Sequence, residues 1–194
     1  MAASGAGIVN VANALTGLRL LLVPVFTVLL FAHGGDRTGW RAAACLVFAV
    51  ASFTDRVDGA VARRRGLVTE FGKLADPIAD KALTGTALVG LSLLGELPWA
   101  VTGVVLVREI GVTALRLWVI RHGVMPASRG GKVKTLLLGV AIGLYVLPLA
   151  GPLATARAVV MAVAVVVALV TGIDYVARAL ALRRAGAKGA ADAR

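Results

Sequence analysis

Six stretches of mostly apolar residues follow one another along the 194-residue chain, separated only by short breaks of Gly, Pro and charge. All but the shorter fifth are close to the roughly 20 residues that a helix needs to cross a bilayer core about 30 Å thick. The first covers 15–32 and closes at His33-Gly34-Gly35-Asp36; the second covers 41–61 and meets Arg63-Arg64-Arg65-Gly66. The third covers 71–95, and Glu96-Leu97-Pro98 turns the chain into the fourth, 99–120. Residues 121–134 lead to the fifth, which ends before Pro148 and the Gly151-Pro152 break, and the sixth covers 156–181. Lipid offers no hydrogen-bond partner to a backbone N–H or C=O, so runs of this length have to be helical. The expected fold is therefore all-α: a polytopic membrane protein of six transmembrane helices, forming one domain over 15–182.

Residues 1–14 carry no charged side chain and place Asn10 and Asn13 among Ile8, Val9 and Val11, a pattern suited to an interfacial segment. Residues 183–194 form a basic, Ala- and Gly-rich tail expected to be flexible. The first run is too long for a cleavable signal, has no basic start, and ends without a small-residue cleavage site. Apolar residues make up 59% of the chain and charged ones 16%, which excludes a disordered chain, and the single cysteine, Cys45, excludes a disulfide scaffold. Twenty-one Lys and Arg against ten Asp and Glu leave a net charge of +11. In a chain built of membrane spans this excess reports topology and anionic headgroups rather than nucleic acid. Basic residues crowd the second-to-third and fourth-to-fifth connections and the C-terminal end, with Arg37, Arg41 and Arg157 opposite. This asymmetry places both termini, and a cavity between the helices, on the cytoplasmic side of the cell membrane. Trp40 and Trp99 read as anchors at the outer interface, and His33 and His122 as residues of span ends.

Asp55, Asp58, Asp76 and Asp80 fall within the second and third runs or at their cytoplasmic mouth. An unpaired charge costs at least about 2.5–3.5 kcal/mol there, so they demand compensation. Asp55 and Asp58 lie three apart and Asp76 and Asp80 four apart, which puts each pair on one helix face. Carboxylates with no His or Cys beside them make a hard oxygen site, suited to two Mg²⁺ or Mn²⁺ ions rather than zinc. Ion pairing with Arg56, Arg63, Lys73 and Lys81 is the alternative, weaker for four carboxylates on matching faces than for any one of them.

The run Asp55-x2-Asp58-Gly59-x2-Ala62-Arg63-x8-Gly72-x3-Asp76-x3-Asp80 resembles, at every fixed position, the signature of the CDP-alcohol phosphotransferase family of integral membrane enzymes. Eight fixed residues at about 5% each arise by chance in such a chain on the order of once in 10⁸, so the motif is specific. The resemblance implies that the first three aspartates hold divalent ions and that Asp80 is both a metal ligand and the base toward the attacking hydroxyl. It implies that Gly59, Ala62, Arg63 and Gly72 border the CDP-lipid, although Gly59 and Gly72 also suit close helix packing. It further implies a homodimer.

Outside the motif, Asn13-Ala14-Leu15-Thr16 with Arg19, the block 71–81, Arg108-Glu109 and Gly131-Lys132-Val133-Lys134-Thr135 are similar to bacterial members of the family that make phosphatidylglycerophosphate. The substrates so implied are CDP-diacylglycerol and glycerol 3-phosphate. The basic residues agree, because Arg108, Arg116, Arg129, Lys132 and Lys134 fall in the cytoplasmic half of the fourth and fifth runs or between them, and a phosphorylated acceptor needs cations. Arg116 is the leading candidate. Arg108 also reads as the ion-pair partner of Glu109, and Lys132 and Lys134 also read as ordinary anchors on the cytoplasmic side. Inositol phosphate and phosphatidylglycerol remain alternative acceptors. A transporter, the more distant alternative, needs polar residues continuing to the far side of the second and third runs, and apart from Ser52, Thr54 and Ser92 they are apolar there.

Overall fold

The computed structural model describes residues 11–65, 70–119 and 129–192; at 11–15, 55–65, 70–77, 80, 116, 117, 119, 129, 182 and 184–192 it describes the helix backbone alone. The described chain is all-α: α1 (Val11–Phe31), a 3₁₀ turn (Ala32–Gly35), α2 (Thr38–Arg65), α3 (Glu70–Leu93), α4 (Trp99–Val119), α5 (Arg129–Val146) and α6 (Pro152–Asp192). The six helices fall on the six apolar runs, with shifted ends. α1 starts at Val11, so the last residues assigned to the interfacial segment form its first turn, while residues 1–10 lie outside the described set. α6 starts at Pro152, where proline's missing N–H costs no helical hydrogen bond. Its helical backbone is described to Asp192, through most of the stretch 183–194 read from sequence as a basic tail. Ala, Leu, Arg and Lys are strong helix formers, so losing apolarity ends a span without ending the helix.

The runs are also unequal. Thr16–Gly35 and Pro152–Ala181 are long and apolar enough to cross a membrane, whereas Thr38–Thr54 of α2 and Lys81–Leu93 of α3 are apolar but shorter. Each of those two helices gives way to polar sequence where it carries its aspartates. The surface is nevertheless apolar: Leu21, Val28, Leu46, Phe53, Val107 and Ile173 are each at least 65% exposed. Large apolar side chains left outside in such number mark a lipid-facing surface.

The chain divides into two compact units, Met1–Leu97 with Ile142–Ala150, and Pro98–Ala141 with Gly151–Arg194. In the first, α1 packs along both α2 and α3, which also meet each other. Its core is Phe26 and Leu30 of α1, Ala44, Phe48 and Ala51 of α2, and Ala79, Leu83, Ala87, Leu88 and Leu91 of α3. The Phe26 and Phe48 rings sit 5.7 Å apart in a tilted arrangement. The alanines among these let the backbones approach, and the contact is tightest at Gly90, where an added Cβ would lie 2.6 Å from Leu30 Cδ2. Leu30 is fully buried and has little room to retreat. Gly90→Val is accordingly expected to cost about 1–3 kcal/mol through overpacking of α1 against α3. Thermal unfolding in detergent checks this, and an unchanged midpoint would show that the α1–α3 seam is looser than described.

Arg41, counted from sequence only as an outer-side charge, is 1% exposed. Its Nε donates to Val146 O at 2.6 Å, Nη2 to Tyr145 O at 2.8 Å and Nη1 to Gly35 O at 3.2 Å, and Nη1 lies 3.6 Å from Glu96 Oε1. The last carbonyls of α5, which no helical N–H can reach, are thereby satisfied by a side chain from α2. Gly35 and Gly95, with φ of 81° and 72°, supply the left-handed turns that bring the ends of α1 and α3 to this point.

In the second unit α4 packs against α6 through Val105 of α4 and Met161, Ala164 and Ala168 of α6, all buried. Farther along, the Arg183 guanidinium sits 5.0 Å from the Trp118 ring centroid.

Candidate active site

On α2 the buried residues are Arg41, Ala44, Phe48 and Ala51, while Leu46, Val50 and Phe53 point outward. The inward positions recur at steps of three and four, and α2 continues unbroken to Arg65. The next positions in that register are Asp55, Asp58 and Ala62. The same holds on α3, where Ala79, Leu83, Ala87 and Leu91 are buried and Ile78 is exposed. Asp76 lies three residues before Ala79 and Asp80 three before Leu83, so both fall on the inward register. The register that carries alanine, leucine and phenylalanine in the apolar half of each helix carries aspartate in the sequence of the other half. The side chains of Asp55, Asp58, Gly59, Ala62, Arg63, Gly72, Asp76 and Asp80 lie outside the described residues; what is described is their helical backbone.

Four carboxylates at these positions would supply an all-oxygen donor set, whose hardness fits Mg²⁺ or Mn²⁺. Among the described residues no group of three His, Cys, Asp or Glu side chains comes together to hold a metal, so the metal expectation rests on the four aspartates. Thr16 and Arg19 of α1, both quoted in the resemblance, are each 1% exposed.

The second unit holds all five cations considered for an acceptor phosphate. Arg108, within α4, is laid against α6: its Nε donates to Ala168 O and its Nη2 to Thr171 Oγ1, both at 2.9 Å. Gly172 leaves it room, since a Cβ there would lie 3.3 Å from Arg108 Cγ. Nη1 donates to Glu109 Oε1 at 2.9 Å, as the ion-pair reading expects. Lys134 of α5 donates from Nζ to the same oxygen at 2.5 Å and is buried, so it is not the solvated anchor that its neighbour Lys132 is. The side chains of Arg116 and Arg129 lie outside the described residues. Sequence reasoning paired Glu109 with Arg108 and missed Lys134. A signal was present, because Glu109 is the only acidic residue between Glu96 and Asp174 and is therefore the sole carboxylate available in that stretch to Arg108, Arg116, Arg129, Lys132 and Lys134. Asp174 pairs with Arg178 one helical turn on, at 3.0 Å and largely in the open, where such a pair contributes little.

Comparisons with known proteins bear on this arrangement. The sequence pattern of the CDP-alcohol phosphatidyltransferase family matches residues 9–170, a span that includes the four aspartates, Glu109 and Lys134. A probable phosphatidylglycerophosphate synthase of Mycobacterium tuberculosis is 59% identical over 178 residues, covering 92% of this chain and 85% of its own. A CDP-diacylglycerol–glycerol-3-phosphate 3-phosphatidyltransferase of Bacillus subtilis is 37% identical over 148 residues, covering 71% of this chain and 77% of its own, and one of Rickettsia typhi is 36% identical over 143 residues, covering 73% and 79%.

Proposed function

Because the chain belongs to the CDP-alcohol phosphatidyltransferase family, we propose that it is a membrane enzyme of phospholipid synthesis that transfers the phosphatidyl group of CDP-diacylglycerol to glycerol 3-phosphate, giving phosphatidylglycerophosphate and CMP. What supports the reading is sequence spacing on described helices: Asp55 and Asp58 continue the register of buried Ala44, Phe48 and Ala51 on α2, and Asp76 and Asp80 precede buried Ala79 and Leu83 by three residues on α3. An apolar helix face does not accept four carboxylates unless cations meet them.

Asp55, Asp58, Asp76 and Asp80 would hold the divalent ions, which when bound neutralise the diphosphate and the charge developing on CMP. Gly59, Ala62 and Gly72 leave space beside those carboxylates for the cytidine and diphosphate, and Arg63, one turn past Gly59, reaches phosphate oxygens. Asp80 orients the sn-1 hydroxyl of glycerol 3-phosphate and takes its proton as the hydroxyl oxygen bonds to the phosphorus that carries the diacylglycerol. The bridging P–O bond opposite breaks, and CMP departs with its electron pair. Arg116, Arg129, Lys132, Lys134 and Arg108, the last fixed to α6, are the candidates to hold the acceptor's phosphate. The acyl chains stay in the bilayer, consistent with the apolar exterior of the helices. A homodimer with cytoplasmic termini and active site completes the proposal.

The test is CMP release by the purified, detergent-solubilised protein with CDP-diacylglycerol and Mg²⁺, comparing glycerol 3-phosphate, inositol phosphate and phosphatidylglycerol. Turnover with glycerol 3-phosphate, abolished by EDTA and restored by Mg²⁺ or Mn²⁺, is the expected result. Turnover with another acceptor alone would keep the chemistry and overturn the substrate, and no release with any acceptor would overturn the enzyme reading.

A further inference from the structure

Glu109 has no part in the reaction just described, yet it is the hub of a buried cluster. One oxygen, Oε1, receives both Arg108 Nη1 and Lys134 Nζ, and the three side chains are 15%, 9% and 6% exposed. We propose that Glu109 is a positioning residue of the acceptor site, holding Lys134, and with it the basic first turns of α5, in the geometry that binds the phosphate of glycerol 3-phosphate. This rests on the function proposed above.

A lysine near the end of an apolar helix turns its ammonium toward water, as Lys132 does two residues earlier, unless something holds it inward. Glu109 is what holds it. The carboxylate is in turn fixed, because Arg108 beside it is anchored on α6 by Ala168 O and Thr171 Oγ1 and passes over Gly172. The chain of contacts therefore runs from α6 through Arg108 and Glu109 to Lys134, and each link is a directional hydrogen bond to a charged group rather than a deformable apolar contact. Stability alone is a weak reason for such a cluster, since the desolvation of buried charges offsets most of their attraction. Its definite consequence is geometric: two cations are brought to one point, and the flexible four-carbon stem of a lysine loses its freedom before any anion arrives. A site preorganised in this way binds its ligand without the entropic cost of ordering that side chain.

The prediction concerns one substrate only. In the full-length enzyme Glu109→Gln is expected to raise KM for glycerol 3-phosphate by about tenfold or more, the loss of one charge-assisted hydrogen bond. KM for CDP-diacylglycerol should stay within about twofold, and kcat should change less than the first KM. Lys134→Met should raise the same KM, and the Glu109→Gln, Lys134→Met double variant should be no worse than the more affected single one, because both break one link. Thr171→Val, which loosens Arg108 without removing charge, separates positioning from mere stability: a smaller rise in the same KM is expected. Should Glu109→Gln fail to fold, Lys134→Met leaves the Arg108–Glu109 pair intact and carries the test alone. An unchanged KM for glycerol 3-phosphate in Lys134→Met or in folded Glu109→Gln, or equal increases in both KM values, would overturn the proposal. If the unsubstituted enzyme does not use glycerol 3-phosphate at all, the functional reading has failed instead, which the acceptor comparison reveals before any variant is made.

Discussion

Asp80→Asn abolishes measurable CMP release, by about 10³-fold or more, while CDP-diacylglycerol still binds: this is the expected result of removing the carboxylate placed nearest the acceptor hydroxyl. Loss of a general base alone lowers rates by about 10²–10⁴-fold, and asparagine keeps the shape and a metal-ligating oxygen while losing the charge and the proton acceptor. Asp55→Asn gives a different pattern. That position lies on α2, in register with Asp58 and Ala62, where the proposal puts the ions and the diphosphate. Metal affinity and nucleotide affinity should therefore fall together. The measurements are CMP release across Mg²⁺ concentrations and calorimetric binding of CMP with and without metal. Equal, small losses for both variants would remove the division of roles, and loss of nucleotide binding in Asp80→Asn with retention in Asp55→Asn would reverse it.

Arg41→Met lowers stability by about 3 kcal/mol, a fall of about 6–12 °C in the unfolding midpoint for a chain of this size. The substitution keeps most of the apolar stem and removes a buried fork that satisfies Val146 O, Tyr145 O and Gly35 O and faces Glu96. Hydrogen bonds from a charged donor contribute about 1.5–3 kcal/mol each, and leaving a buried carbonyl without its donor adds the cost of its desolvation. The cysteine thiol nearby, Cys45, already engages Gly143 O at 3.6 Å and cannot replace the guanidinium. Arg41→Lys should recover part of the loss, since an ammonium reaches fewer carbonyls than the fork. Thermal unfolding in detergent reads both. A midpoint within about 1 °C of the unsubstituted protein would mean that water or lipid headgroups serve those carbonyls equally well.

The helical class, the six segments and the aspartate motif were legible along the chain, because each depends on local quantities: the length of an apolar run, the residues that interrupt it, and a spacing of three or four. Gly95 and Pro98 mark the α3–α4 turn, and the Gly151-Pro152 break coincides with the start of α6, since left-handed backbone and a missing N–H are properties of single residues. The ends of α1 and α6 were less legible. Helix formation continues wherever propensity permits, and apolarity carries no information about where it stops, so α6 runs on to Asp192.

Three features were decided only by packing. Arg41 and Lys134 are both basic residues near run ends, and sequence alone gives them the same reading as Arg37 and Lys132. The fold buries Arg41 on carbonyls contributed from more than a hundred residues away and Lys134 on the carboxylate of Glu109. Gly90 is one glycine among 23, and only the approach of α1 makes it a position without room. The aspartates stand between the two cases. Their spacing shows that each pair shares a helix face, but which face that is depends on where Ala51 and Ala79 are buried, and thus on how α1 packs against α2 and α3. A sequence determines what each residue brings to its own helix turn; which cation is solvated, which carboxylate faces inward and which carbonyl needs a donor are set by neighbours distant in the chain, and so by the tertiary structure.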